Sequence, residues 1–345
     1  WRLIDTKIVQ RIRDFTKRNY RFVIFSNQAG ISSGASPLKS VQKRFEDAIK
    51  RINIPCIAML ATKDDIYRKP RPGMFWVYQN SFNDAVEISE KFMIGDAAGR
   101  KSSIKKDHSA VDILFAYNVK FDSFQTPEDF VASKPMQSSV QDAMTLYSTN
   151  LPSFRPQSLN ENNKFVACND SGEYFKSIQE LLESLPSKAI LFVGLPGSGK
   201  SYFFNNHLSK HGYKEVSRDR LGSMDKCEQH IKKLISEGET KIVVNNLNLE
   251  ENGRRKFLQL LPGLVCFYFH STRSQCLHLN NYRRLMRQMN ADYEYAPVPE
   301  PVIYANEKKL NEPTKDEGFS SVYRISFIVG DFDSEQQQQL FFMYL

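Results

Sequence analysis

Gly194-Leu195-Pro196-Gly197-Ser198-Gly199-Lys200-Ser201 fits the pattern GxxxxGK(S/T) at every fixed position. It follows the apolar run Ala189-Ile190-Leu191-Phe192-Val193, which predicts a strand, and it opens a helical pattern. Strand, glycine-rich turn, helix is the context in which this pattern has physical meaning. The glycines let backbone N–H groups turn inward around a phosphate chain, and the helix N-terminus adds its partial positive charge. Lys200 reaches outer phosphates as a point charge, and the Ser201 hydroxyl is a candidate Mg²⁺ ligand. A chain built around this octet has to supply a mostly parallel sheet whose strand ends open on one crevice.

The remaining patterns agree. Ile4, Ile8, Ile12 and Phe15 predict a helix within 2–19, and Phe22–Phe25 a strand. Val41, Phe45, Ala48, Ile49 and Ile52 predict a second helix, and Ile57–Ala61 a second strand. Phe92–Ile94 and Ile113–Ala116 are expected as further short buried strands, as are Ile242–Val244 and Val265–Phe269. Alternating helices and strands of this kind make a doubly wound α/β sheet. Ser, Gln, Asn and Pro rise from about residue 133, and the apolar period disappears. The expected organisation is therefore two doubly wound parallel-sheet domains, 1–132 and 187–345, joined by an extended, partly packed connection over 133–186. At 345 residues, and about 150 residues per domain, two domains also follow from length.

Composition excludes some classes. With 41% hydrophobic and 25% charged residues the chain can build a core. No apolar run approaches the ~20 residues of a membrane span, and the first residues do not read as a signal peptide. Cys56, Cys168, Cys227, Cys266 and Cys276 are scattered without CxxC pairs, which argues against a disulfide framework or a zinc site and fits a reducing compartment. The net charge is +8 and the isoelectric point about 9.1, the electrostatic footprint expected of a nucleic-acid binder.

Three further clusters carry chemistry. Ser217-Arg218-Asp219 lies about twenty residues past the glycine-rich turn, after Tyr213-Lys214-Glu215-Val216. Asp219 there is either a base for an acceptor hydroxyl or a helix N-cap. Asn280-Asn281-Tyr282-Arg283-Arg284-Leu285-Met286-Arg287 crowds arginines together, as an arginine-bearing lid on a transferring phosphoryl group would, or as a solvated helix face. In the N-terminal half, Phe25-Ser26-Asn27-Gln28, Arg68-Lys69-Pro70 and Gly95-Asp96-Ala97-Ala98-Gly99-Arg100 bring a hydroxyl, a lysine and an aspartate to strand ends or the loops after them. Converging on one crevice, they can bind a phosphate and Mg²⁺.

Those three segments, in this order, resemble motifs II, III and IV of haloacid-dehalogenase-type phosphatases. Such a phosphatase followed by a P-loop kinase resembles the polynucleotide 5′-kinase/3′-phosphatase family of DNA end repair. SNQAGI at Ser26–Ile31, RKP at Arg68–Pro70, GDAAGR at Gly95–Arg100 and the stretches Lys106–Ser109 and Phe115–Asn118 carry the likeness in the first half. The glycine-rich octet, Arg218–Ser223, Asn280-Asn281 with Arg284, and Glu317-Gly318-Phe319 carry it in the second.

The resemblance implies a bifunctional enzyme that uses ATP and Mg²⁺ to phosphorylate 5′-hydroxyl DNA ends and that removes 3′-phosphates. Its partners would be DNA at nicks, gaps or breaks, with repair scaffolds besides, in the nucleus and not at a membrane. Asp219 would be the base and Lys200 and Arg284 would act on the nucleotide phosphates, with Gly194, Gly197, Ser198, Gly199, Ser201 and Tyr202 around the nucleotide. Arg218 and Arg220 would meet the acceptor. Ser26 and Lys69 would hold the 3′-phosphate, Asn27 and Arg68 would contact that substrate, and Asp96 would ligate Mg²⁺.

Two departures stand out. The family's DxDGT motif, which supplies its nucleophile, is absent from residues 1–25. It is expected to lie upstream of Trp1; its loss, leaving an inactive phosphatase domain, is the alternative. The family also has an aspartate where Asn245 follows Lys241–Val244, so this position is expected to be a weakened member of the metal shell. Competing functions are an RNA or small-molecule 5′-kinase, or a strand-break binding module with degenerate sites.

Overall fold

The structure is a computed structural model and describes residues 5–84, 86–101, 106–161, 166–293 and 296–345, with the side chains of 160 and 161 left aside. Ile4 of the expected first helix lies outside these residues. The chain divides into two compact units. The first comprises 1–153 with 288–291 and 343–345, and the second 154–287 with 292–342.

In the first unit a helix over Lys7–Thr16 leads into β1 (Phe22–Asn27), and a helix over Leu38–Ile52 leads into β2 (Cys56–Ala61). The two strands pair in parallel, Phe22 opposite Cys56 through Asn27 opposite Ala61. A second parallel pair joins β3 (Phe92–Ile94) to β4 (Ser123–Gln125), with Met93 opposite Phe124. Parallel strands need a crossover between them, and helices supply it here.

Two expectations are corrected in this unit. Ile113–Ala116 is not a strand but part of a helix over Val111–Asn118. Ile113, Leu114, Phe115 and Ala116 are all buried, and a helix packed on every side gives the same unbroken apolar run as a buried strand. The strand is β4, where one apolar residue stands between Ser123 and Gln125 and leaves no run to see. The expected connection is also structured. Ser139 accepts a hydrogen bond from the Asp142 N–H at 3.1 Å and caps a helix over Val140–Tyr147. Val140, Ala143, Met144 and Tyr147 lie at helical spacing and bury into the core that holds Phe115 and Phe124.

The second unit takes up the rest of that segment. β5 (Ala167–Asn169) and β6 (Tyr174–Phe175), the latter at the sheet edge, are followed by a helix over Ile178–Ser184 with a full capping box at Ser177 and Glu180. The sheet continues with β7 (Ile190–Val193), β8 (Lys214–Val216), β9 (Ile242–Val244), β10 (Val265–Phe269) and β11 (Ser321–Ile325), in the order β6-β5-β11-β10-β7-β9-β8. The last five in that order are parallel, and β5 and β6 run antiparallel on one side. Ile190 and Phe192 of β7 enter one core, with Phe203 and Phe267. Leu191 and Val193 enter the opposite one, with Val216, Val244 and Cys266. Burial on both faces explains why these strands read as continuous apolar runs instead of alternating ones.

Arg254, on the helix over Glu251–Leu260, is fully buried. Its Nε and Nη2 donate to the two Glu317 carboxylate oxygens at 2.7 and 2.6 Å. Its Nη1 donates to the carbonyls of Asn248, Leu249 and Asn311 at 2.8–3.1 Å. The loop leaving β9 is thereby fixed to the segment leading into β11. Removing one partner of a buried pair strands the other charge, at a cost of about 3–5 kcal/mol. Arg254→Ala is expected to lower the urea midpoint of the second unit accordingly, and an unchanged midpoint would show that the loop is held by other contacts.

Candidate active sites

In the second unit, the carboxyl ends of β7, β8, β9 and β10 surround a cavity of about 1070 Å³. Residues 196–201 of the glycine-rich loop line it, together with Arg218, Asp219, Asn245 and Asn246. Gly197 has φ +83°, and a Cβ there would come within 3.1 Å of the Cys276 carbonyl oxygen, so the loop requires glycine.

Lys200 is buried, with its Nζ donating to the carbonyls of Gly194 (2.8 Å) and Leu195 (2.7 Å) and to Ser198 Oγ (3.2 Å). Burial pushes its pKa down to about 8, against the opposing pull of the Cys276 thiol and the Asp219 carboxylate. The ammonium thus waits on neutral oxygens, which phosphate oxygens can replace. Ser201 and Tyr202 are exposed and line the same cavity.

Asp219 reaches the cavity from the short helix Arg218–Leu221 after β8. The N-cap of that helix is Ser217, whose Oγ accepts from the Asp219 N–H at 3.2 Å. Asp219 is therefore not the cap, and its carboxylate is exposed among the lining groups. Arg218 donates its N–H to Asn246 Oδ1 at 2.8 Å. Arg220 points away: it does not line the cavity, and its Nε stands 2.9 Å from Glu215 Oε2. Asn245 is buried, and its Nδ2 donates to Glu215 Oε1 at 2.6 Å.

The arginine cluster lies within one helix, Arg273–Met289. Leu285 and Met286 are buried and Arg283 and Arg284 are half-buried, so it is not a solvated face. Arg283 lines the cavity, whereas Arg284, expected on the nucleotide, does not. Asn280 pins the segment after this helix through reciprocal 3.0 Å hydrogen bonds with the backbone of Val298.

In the first unit, Lys69 Nζ donates to the Phe25 carbonyl at 2.8 Å and to Asp112 Oδ1 at 2.6 Å. Asp112 Oδ2 accepts from the Ala97 N–H at 3.1 Å. A chain of contacts thus runs from the end of β1, beside Ser26, through Lys69 and Asp112 to the loop after β3, beside Asp96. Gly95 makes room for it, since a Cβ there would meet Asp112 Oδ2 at 2.7 Å. Ser26 Oγ accepts from Gln28 Nε2 at 2.8 Å.

Asn27 serves the scaffold. It bonds both backbone groups of Lys69, at 2.9 and 3.0 Å, which fixes the lysine's place and leaves its amide committed instead of free for substrate. Arg68 stands 4.0 Å from Asp64. Asp96 is exposed, and among the described residues no group of three or more His, Cys, Asp or Glu is arranged to hold a metal ion. Arg100 braces the loop: Nε donates to the Asp107 carboxylate (2.8 Å), Nη1 to Glu128 (3.1 Å) and Nη2 to the Asp96 carbonyl (3.2 Å). Although burial opposes it, these bonds and the Ala98 and Arg100 N–H groups hold the Asp107 carboxyl below its ordinary range.

Asp112, Asp107, Glu215 and Arg283 are site residues that motif reasoning missed. Asp112 carried a usable signal, being a lone acid inside the apolar run Val111–Ala116; such a charge is buried only when paired.

Unit 2 thus carries a glycine-rich loop, a buried lysine and the Asp219 carboxylate on one cavity, and unit 1 a strand-end site with a buried lysine facing Asp112. Residues 1–131 match the family profile described as polynucleotide kinase 3 phosphatase. A bifunctional polynucleotide phosphatase/kinase of Schizosaccharomyces pombe is 26% identical over 332 residues, covering 95% of this chain and 73% of its own length. A protein of Acanthamoeba polyphaga mimivirus, named for the same two activities, is 27% identical over 364 residues, covering 95% of this chain and 80% of its own length. The polynucleotide 3′-phosphatase ZDP of Arabidopsis thaliana is 32% identical over 38% of this chain and 20% of its own length. Over 95% of its length the chain is thus similar to proteins named for both a polynucleotide phosphatase and a polynucleotide kinase activity.

The lowered pKa of Lys200 predicts that binding of nucleotide phosphates beside it is pH-dependent. Below about pH 8 the ammonium is charged before and after phosphate arrives, and affinity stays level. Above it the free protein has lost the proton and must take one up, so affinity for a non-hydrolysable ATP analogue should fall by up to ~tenfold per pH unit. Calorimetry in two buffers of different ionisation enthalpy should register proton uptake at pH 9 and little at pH 7; equal uptake at both would mean that the lysine is not the titrating group.

Proposed function

We propose that this chain processes DNA ends: its second unit transfers the γ-phosphoryl group of ATP to a 5′-hydroxyl, and its first unit, a dehalogenase-type phosphatase domain, removes a 3′-phosphate. The observation that carries the reading is the presence of two separate strand-end sites in a chain whose likeness to two-activity polynucleotide phosphatase/kinases spans 95% of its length.

In the kinase reaction the loop N–H groups and Lys200 hold the nucleotide phosphates. Arg283 adds a guanidinium suited to spread phosphoryl charge. Asp219 accepts the proton of the attacking hydroxyl, a role worth typically ~10²–10⁴-fold. The oxygens offered by the exposed Ser201 and by the phosphates suit a hard cation. When bound there, Mg²⁺ would neutralise charge on the phosphates.

In the phosphatase reaction Lys69 and Ser26 bind the 3′-phosphate. Asp112 keeps the Lys69 ammonium at the end of β1, and Asp96 is the carboxylate free to meet a cation. The nucleophile is assigned to a DxDGT aspartate, a motif that these 345 residues do not contain, and the phosphatase assay is made on the full-length protein. The net charge of +8 supports a polyanionic substrate. Action on chromosomal breaks, in the nucleus and beside repair scaffolds, belongs to the same proposal.

Labelled phosphate transfer to DNA, RNA and nucleoside acceptors compared side by side should favour DNA 5′-ends. Lys200→Ala and Asp219→Asn should each cut 5′-phosphorylation by about 10²-fold or more and leave 3′-phosphate release intact. Asp96→Ala and Asp112→Asn should do the reverse. A substitution that silenced both reactions in a folded protein would overturn the two-site reading, and equal transfer to free nucleosides would overturn the DNA acceptor.

A further inference from the structure

We infer that Glu215 is a positioning residue of the phosphoryl-transfer site: it orients the Asn245 amide toward the cavity and supplies, one strand over, the negative charge that position 245 lacks. The inference rests on the kinase reading of that site.

The sheet sets up the pairing. Glu215 of β8 lies opposite Val243 of β9, and Asn245 is two residues further on, so both side chains leave the same face as diagonal neighbours. The Asn245 N–H donates to the Val216 carbonyl at 2.9 Å, which carries the register past the end of the strands. At the side-chain level Asn245 Nδ2 donates to Glu215 Oε1 at 2.6 Å. A carboxylate only accepts, so this bond decides which way the amide faces. With Nδ2 committed, Oδ1 is the polar atom that Asn245 has left to offer the cavity it lines.

The other Glu215 oxygen makes no hydrogen bond but stands 2.9 Å from Arg220 Nε as an ion pair, and the glutamate side chain is only 6% exposed. Arg220 follows Asp219 in the short helix Arg218–Leu221, so Glu215 faces both the segment carrying the proposed base and the amide across from it. The reading of Asn245 as a position without a carboxylate is therefore incomplete: a carboxylate is in contact with it, from behind.

The arrangement admits one carboxylate, not two. An aspartate at 245 would set like charges at hydrogen-bond distance, which disfavours both being ionised. The test is a swap. Glu215→Gln and Asn245→Asp should each lower kcat for 5′-phosphorylation by about ten- to a hundredfold, the range expected for one hydrogen bond to a charged group, with little change in KM for ATP. The double variant E215Q/N245D restores one charge and one hydrogen bond with the roles exchanged, and should recover to within about threefold of wild type.

A second readout does not depend on turnover. The side-chain ¹H–¹⁵N pair of Asn245, identified by its loss in N245D, should shift in E215Q. Wild-type rates in E215Q, an N245D protein as fast as or faster than wild type, or a double variant no better than the worse single would overturn the inference. Should wild type phosphorylate no 5′-hydroxyl, the kinase reading falls, while an unmoved amide resonance in E215Q would refute the orienting role by itself.

Discussion

The site of the second unit depends on one constraint: in a parallel sheet all strands deliver their carboxyl ends to the same side. In the second unit β7, β8, β9 and β10 bring the glycine-rich loop, Asp219, Asn245 and Phe269 to one cavity. In the first, β1 and β3 end at Ser26-Asn27 and Gly95-Asp96. Residues far apart in sequence meet because the sheet has a direction, and short loops after each strand are enough to carry the chemistry. The constraint also explains why the strands are so apolar, since a sheet covered on both faces leaves its polar work to the ends.

The loops themselves are held by buried charge. Arg254 and Glu317 fix the segment after β9, which carries Asn245–Asn248 into the cavity wall. Arg100 and Asp107 fix the segment after β3, which carries Asp96. In each case the guanidinium bonds backbone carbonyls as well as a carboxylate, so it fixes the main chain and not merely another side chain. Desolvating such a pair offers little net stability unless its remaining hydrogen bonds are satisfied. These arginines meet that condition with three or more partners each, which is the geometry expected where shape matters more than strength.

The motifs were legible because their residues are chemically irreplaceable, and the long helices and two-face-buried strands because burial writes a pattern. The glycine-rich octet stood at its loop, and β1, β2, β3, β7, β9 and β10 stood where apolar runs placed them. What failed was decided by tertiary contact. Ile113–Ala116 is apolar throughout whether helix or strand, and only its packing against Phe124 and Met144 settles the matter. Val140–Tyr147 has helical spacing that was hidden in a stretch rich in polar residues. Arg283 and Arg284 are equivalent in sequence, and the helix phase alone turns the first to the cavity. Glu215 sat in a run that the sequence marked only as lying before Asp219, because nothing local says that its carboxylate will meet an amide thirty positions later.

The two site lysines show how the same charge is prepared differently for two tasks. Lys200 is surrounded by carbonyl and hydroxyl oxygens, and among the described residues no carboxylate bonds it. Its charge is poorly compensated, as its pKa of about 8 records, and an arriving polyphosphate supplies what is missing. Binding is therefore drawn toward ligands that bring several negative oxygens. Lys69 is instead bonded to a carboxylate at 2.6 Å and to one carbonyl. An anion that approaches it has to share the ammonium with Asp112, so this lysine suits orientation of a single phosphate better than tight capture of a long chain. On the proposed function, tight retention would serve a nucleotide that must stay through transfer and a looser hold an end that must leave once its phosphate is gone, and in each unit it is the lysine's permanent partners, not the lysine, that set the difference.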